Sequence, residues 1–151
     1  MFDKLSLVIL SSLIPITELK TGLLLALYYG FDPLTSFIVV VLSNFLLFFP
    51  VYFGMQLFYK KFFFKIKFIQ KHLEKSRKDL KPYMSKYGYI GLAIWVSTPL
   101  PMSGVYTAAA LAWILGMDWK KAFAAICVGV LIEAILVLTV ALGIIQLIWY
   151  K

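Results

Sequence analysis

Four apolar stretches, at residues 5–29, 33–59, 87–115 and 122–150, take up most of this 151-residue chain. Each is long enough to supply the ~20 residues with which a helix crosses a bilayer, so four spanning helices are the simplest reading. Two of the stretches resist it. Residues 5–29 carry Pro15, Glu18 and Lys20 near their middle, and residues 87–115 carry Thr98, Pro99, Pro101, Ser103 and Gly104 there. A proline inside a helix removes a hydrogen bond and clashes with the preceding turn. Irregular backbone at membrane depth persists only where protein or a water-filled cavity surrounds it. Each broken stretch is therefore expected to enter the membrane, turn near its prolines and leave on the same side. Pro15, Pro99, Pro101 and Gly104 are the expected hairpin breaks.

Composition agrees with a membrane setting. Hydrophobic residues make up 62% of the chain, against about 45–50% in soluble domains, and the mean hydropathy is +0.90. Residues 1–151 read as a single membrane domain with no room for a soluble catalytic module. No small-residue cleavage site follows the apolar run at 5–14, so no cleavable leader is expected. Cys127, the one cysteine, excludes a disulfide framework within the chain and reads as a packing residue.

The chain also repeats itself. A shift of 86 residues lays Pro15 on Pro101, Thr21 on Thr107, Leu25 on Leu111, Ala26 on Ala112, Gly30 on Gly116, Asp32 on Asp118 and Phe37 on Phe123. Each half holds a proline-broken stretch closed by a G-x-D turn. Structural repeats that meet at a midplane site built from discontinuous helices are a recurring plan in transporters. Repeat one spans 1–59 and repeat two 87–151.

The net charge of +8 is localised. Residues 60–86 hold ten basic residues, Lys60, Lys61, Lys65, Lys67, Lys71, Lys75, Arg77, Lys78, Lys81 and Lys86, against Glu74 and Asp79. Phe62, Phe63, Phe64, Ile66, Phe68 and Ile69 are interleaved with them. That mixture suits an amphipathic helix lying on anionic headgroups, with Lys60, Lys61, Lys65, Lys67 and Lys71 at the membrane surface. Nucleic acid is not an expected partner. Charge also bears on topology. With four spanning helices, Lys120 and Lys121 would lie across the membrane from the basic segment. With two hairpins they share its side, and twelve of the fifteen basic residues become cytoplasmic, as the positive-inside rule prefers. The two repeats are then inverted, and both termini face outward.

The runs PITELKTGLLLALYYG, at 15–30, and KYGYIGLAIWVSTPLPMSGVYTAAALAWILGM, at 86–117, resemble the small multidrug export protein family, whose members are small prokaryotic membrane proteins. The specific parts are the P-x-x-E-L-[RK] core (Pro15, Glu18, Leu19, Lys20) and the paired Pro99 and Pro101 followed by Gly104. The family more usually has arginine where this chain has Lys20, and a second proline expected soon after is missing from 22–25. Lysine is a point charge, so a planar bidentate clamp is not expected. The family is distantly similar to the DedA superfamily. That likeness implies two re-entrant hairpins facing each other across the membrane, in a group with some members tied to lipid translocation and proton coupling.

Away from the segment ends, only Glu18, Lys20 and Glu133 are ionisable within the membrane stretches. Asp, Lys or Arg at the bilayer centre costs roughly 2.5–3.5 kcal/mol on insertion scales, so such groups are functional candidates by default. Glu18 and Lys20 are two apart and would point to nearly opposite sides of a helix. Lys20 thus needs another partner: Glu133, a half-helix carbonyl end, or an anionic substrate. A structural Lys20–Glu133 pair without a transport role is the plain alternative. Pro15 and Pro101 suit the first turn of a following helix, with Thr17, Thr98 or Ser103 as local caps. Helices starting there would aim positive dipole ends at an anion. Thr17, Ser103 and Thr107 join the candidate substrate- or proton-binding set. Ser43 and Asn44 face either the same cavity or a neighbouring helix, and Gly54, Gly129 and Gly143 are expected to permit close helix contact.

No metal-ligand spacing, phosphate loop or catalytic dyad is visible, so no cofactor, metal or enzymatic activity is expected. The expected fold is an all-α integral membrane protein of two inverted repeats. Each is a re-entrant helical hairpin plus a transmembrane helix, and the interfacial helix lies between them in a prokaryotic cell membrane. The expected function is transport or translocation of a small or lipid-linked anion, with Glu18 as candidate proton carrier. Alternatives are a passive lipid scramblase or pore, and a structural subunit of a membrane complex. A homo-oligomer is a candidate state, because a lone chain encloses little.

Overall fold

A computed structural model of the chain describes residues 2–14, 18–59, 61, 71, 74, 75, 78, 87–100 and 103–149, without the side chains of Phe2, Glu18, Ile148 and Trp149. The interfacial helix expected at 60–86 therefore lies almost wholly outside the described residues. Within them the fold is all-helical: α1 (Phe2–Ser12), α2 (Glu18–Tyr28), α3 (Pro33–Phe58), α4 (Tyr89–Ser97), α5 (Val105–Ile114) and α6 (Trp119–Trp149). Two helices, Pro33–Phe58 and Trp119–Leu147, are long and apolar enough to cross a membrane, and only 39% and 33% of their most apolar windows are buried. A core helix of a soluble protein would be mostly covered. Here Leu34, Leu42, Leu46 and Leu57 on α3, with Ile132, Ile135 and Val140 on α6, stand exposed. That surface requires an apolar solvent.

The four other helices are short, 11, 11, 9 and 10 residues in chain order. At 1.5 Å per residue each reaches only about 14–17 Å, roughly half the hydrocarbon core. They pair by folding back. A continuous helix would separate Ser12 from Gly22 by about 15 Å, yet a Cβ on Gly22 would meet Ser12 Cβ at 2.5 Å. Likewise Trp95 on α4 donates from Nε1 to Thr107 Oγ1 on α5 at 3.3 Å. Both proline-bearing stretches are thus helical hairpins.

The long helices run antiparallel. Phe53 meets Trp119 at a ring separation of 5.9 Å, whereas the earlier Phe48 meets the later Phe123 at 5.2 Å. Phe49 closes on the same Phe123 ring at 5.0 Å. Helix α4 lies alongside α6 in the same direction. Tyr89 Oη accepts from the Asp118 N–H at 3.3 Å at one end, and Ala93 and Val96 crowd Gly129 further along, where a Cβ would come within 2.7 Å of the Ala93 carbonyl oxygen. Gly129 therefore permits close packing as expected. Gly54 and Gly143 do not, since a Cβ at either would meet nothing within 4 Å.

The 86-residue register is visible in local geometry. Helices α2 and α5 end in the same left-handed glycine cap, Gly30 at φ 81° and Gly116 at φ 69°, a conformation that glycine adopts without steric penalty. Phe31 N donates to Ala26 O at 3.1 Å and Met117 N to Ala112 O at 2.9 Å, the long-range bond of the same motif. The aspartate two residues after each glycine then caps a long helix. Asp32 Oδ2 accepts from Thr35 N at 2.9 Å, and Asp118 Oδ1 from Lys121 N at 3.0 Å. The Thr35 hydroxyl and N–H hold the Asp32 carboxyl below its ordinary range, as bonds to a charged carboxylate do.

Candidate functional site

Two broken backbones in an apolar setting leave carbonyls without helical partners, and here each break is served by the other half of the chain. Lys20, one turn into α2, donates from Nζ to the Leu100 carbonyl in the second break at 2.9 Å. Tyr106, in the first turn of α5, donates its hydroxyl to the Leu13 carbonyl at the end of α1 at 2.6 Å. Lys20 and Tyr106 are 86 residues apart, so equivalent positions of the two repeats hold one another's breaks.

Lys20 makes a second contact. Its ammonium is 2.8 Å from Glu133 Oε1, the lysine side chain being 21% exposed and the glutamate 2%. The approach is close enough for charge attraction, but its direction does not make it a formed hydrogen bond, so Oε1 keeps an unfilled acceptor position. Glu133 comes from the middle of α6, as its place in the last stretch suggested. Of the partners open to Lys20 in the sequence, the structure supplies two at once, a carboxylate and a carbonyl of a broken helix. The carbonyl takes one of the three donors of the ammonium, and the carboxylate meets its charge.

Ser103 is buried, and its hydroxyl is directed into the second break, toward Thr98 O and, at 2.8 Å, Leu100 O. It braces the turn instead of capping α5. The N-cap of α5 is Gly104, with no side-chain cap bond. Thr98 ends α4 and returns its hydroxyl to Ile94 O at 2.8 Å, so neither candidate cap acts as one. Pro101, expected in the first turn of this helix, lies outside the described residues, and α5 begins at Val105. Thr107 bonds Gly104 O at 3.1 Å and accepts from Trp95, fixing the hairpin. Ser43 and Asn44 turn to their own helix, donating to Val39 O and Val40 O. Asn44 is fully buried and its Oδ1 has no partner among the described residues. Pro15, Thr17, the side chain of Glu18 and Lys60, Lys65 and Lys67 lie outside the described residues, while Lys61 and Lys71 are exposed. No cluster of His, Cys, Asp or Glu among the described residues could hold a metal.

Sequence reasoning missed Tyr106, Gly22 and the Tyr52 hydroxyl, which donates to Met117 O at 2.9 Å and ties α3 to the turn before α6. The repeat held the signal for Tyr106, which stands where Lys20 falls after the shift.

Broken half-length helices around a central ion pair, flanked by two long lipid-exposed helices, define a small integral membrane protein. The family model described as "Putative small multi-drug export protein" matches residues 18–136, a span that includes Lys20, Glu133 and the whole second break. The chain belongs to that family. No curated protein and no solved structure matches it.

Proposed function

We propose that the protein carries a small or lipid-linked anion across a prokaryotic cell membrane, with Lys20 as the group that receives it where the two breaks meet. The observation that carries this reading is the state of Lys20. It is a cation within an apolar fold, one-fifth exposed, held by one backbone carbonyl and by the charge of one buried carboxylate. An anion competing with Glu133 for that ammonium meets charge in a region where charge is otherwise scarce. Glu18, which opens α2, is the proposed proton carrier, since a carboxyl group can bind and release a proton during the cycle.

In this reading the two hairpins are re-entrant and the repeats inverted. Supporting it are the half-bilayer length of α1, α2, α4 and α5 and the antiparallel course of α3 and α6. Four spanning segments in sequence would make α3 and α6 parallel. Residues 60–86 then lie on the cytoplasmic surface against anionic headgroups and both termini face outward. The chain acts as a carrier and not as an enzyme, alone or as a homo-oligomer. The DedA likeness, with its implied lipid translocation and proton coupling, points the same way by analogy of fold alone.

The test is flux into proteoliposomes under an imposed pH gradient, screened across anionic lipids, small anions and cationic dyes. Uphill anion flux that Glu18→Gln abolishes is the expected result, with Lys20→Met weakening anion binding and Lys20→Arg retaining part of it. Downhill flux indifferent to the gradient would instead identify a passive scramblase or pore. Absence of any flux, with copurification of another protein at fixed stoichiometry, would identify a structural subunit.

A further inference from the structure

The parallel pair α4 and α6 leaves an apolar groove of about 450 Å³ open at the surface, lined by Tyr89, Ile90 and Ala93 on one side and Lys121, Ala125 and Val128 on the other. Its form follows from the residues. Gly129 draws the helices together beside Ala93 and Val96, and alanines on both walls leave the space that larger side chains would fill. The groove runs from the level of Lys121 to that of Val128, seven residues or about 10 Å along α6. That is most of one ~15 Å leaflet.

One end of this groove is charged. Lys121, in the first turn of α6, is exposed, and among the described residues its ammonium has no ion-pair partner. Asp118, three residues before it, turns Oδ1 to the backbone N–H groups of Lys120 and Lys121, at 3.0 Å each. Lys120 sits over the Trp119 ring, 5.6 Å from its centre. The ten-base run of residues 60–86 leads in sequence directly into α4, whose start is at this same end. A long apolar trough closed at one end by a cation matches the two parts of a phospholipid, a hydrocarbon tail and a phosphate. Beside the exposed Lys120 and Lys121, net negative headgroups are favoured over zwitterionic ones.

We propose that the groove between α4 and α6 is a seat for one anionic phospholipid, with an acyl chain along Ala93, Ala125 and Val128 and its phosphate at Lys121. The site is separate from the Lys20–Glu133 centre and does not depend on what that centre carries.

The experiment reconstitutes the full chain in vesicles containing a trace of phosphatidylglycerol with a photoreactive diazirine in one acyl chain. A matched phosphatidylcholine probe is run in parallel, and crosslinks are mapped by mass spectrometry. Label is expected to concentrate on Ile90, Ala124 and Val128, several-fold above Leu42 and Leu46, which are equally lipid-exposed on α3. It should be stronger with phosphatidylglycerol than with phosphatidylcholine. Lys121→Gln, an exposed substitution, should bring the two probes to parity at these residues. Ala125→Leu, which fills the trough, should lower labelling by both, with helix content by circular dichroism confirming that each variant is folded. Label spread evenly over α3 and α6 with either headgroup, or a headgroup preference unchanged in Lys121→Gln, would overturn the proposal and leave ordinary annular lipid.

Discussion

Truncating the two partners of the central ion pair one at a time should have unequal consequences, because the groups are unequally buried. Lys20→Met leaves the Glu133 carboxylate at 2% exposure, with one oxygen already lacking a directed hydrogen bond. Removing one partner of a buried pair costs about 3–5 kcal/mol, and this variant belongs at the upper end. The Leu100 carbonyl suffers less, since the Ser103 N–H still donates to it at 3.4 Å. Glu133→Leu instead leaves a lysine that is 21% exposed and keeps its bond to Leu100. Its loss is that of one charge contact to a partly exposed cation, about 1–3 kcal/mol. The double variant Lys20→Met, Glu133→Leu replaces charge with apolar volume and should return close to the stability of the parent chain.

Equilibrium unfolding in mixed micelles, followed by circular dichroism, measures all four corners of this cycle. The expected signature is a double variant more stable than the sum of the single losses predicts by nearly that whole sum, about 4–8 kcal/mol. Additive losses, or a Glu133→Leu loss larger than that of Lys20→Met, would refute the burial argument. The same four proteins separate architecture from transport. A stable double variant that transports at the normal rate would remove Lys20 and Glu133 from the mechanism. A stable double variant without flux would place them in it.

The glycines give a second set of expectations. Gly129→Ala should destabilise by about 1–3 kcal/mol, because its Cβ would meet a backbone carbonyl that no rotamer change can move. Gly54→Ala and Gly143→Ala, which meet nothing within 4 Å, should be neutral or stabilising by up to about 1 kcal/mol, read in the same micelle assay. Topology is tested with single cysteines at Lys75, Lys121 and Lys151 in a Cys127→Ser background. An impermeant outside reagent should label only the last, and labelling at Lys121 with protection at Lys75 would restore four spanning segments. A peptide covering residues 59–83 should become helical on anionic vesicles and release as salt rises, at about 1 kcal/mol per basic residue near the surface. Equal binding to neutral vesicles at all salt concentrations would exclude the electrostatic part.

What the sequence made legible follows from what is costly in hydrocarbon. Prolines set among polar residues marked the two breaks, whereas Pro50 alone leaves α3 unbroken, and Lys20 marked a charge in need of a partner, with Glu133 one of three open to it. Less was legible where cost is low. Helices α3 to α5 are apolar on nearly every side, and lipid and protein interior are equally apolar. Periodicity therefore could not say that Gly129 faces a helix while Gly54 and Gly143 face open space. A serine beside a break can cap the next helix or brace the turn with equal chemistry, and only the backbone course decides that Ser103 does the second.

The 86-residue repeat bears on how two broken helices can persist in an apolar fold. A chain interrupted by proline exposes carbonyls that lipid cannot satisfy, so one broken hairpin alone would be left with unmet acceptors. Two hairpins from opposite halves solve this for each other, provided that each carries a donor near the start of its second helix. Lys20 and Tyr106 occupy that position, equivalent under the shift, and reach Leu100 and Leu13 across the centre. The donors differ in a way that breaks the symmetry. Tyrosine is neutral and its hydroxyl is spent on the carbonyl, whereas lysine brings a charge that Glu133 meets from α6. Near-symmetry thus accounts for the architecture, and the departure from it, one tyrosine replaced by one lysine, is what places a charged group at the centre.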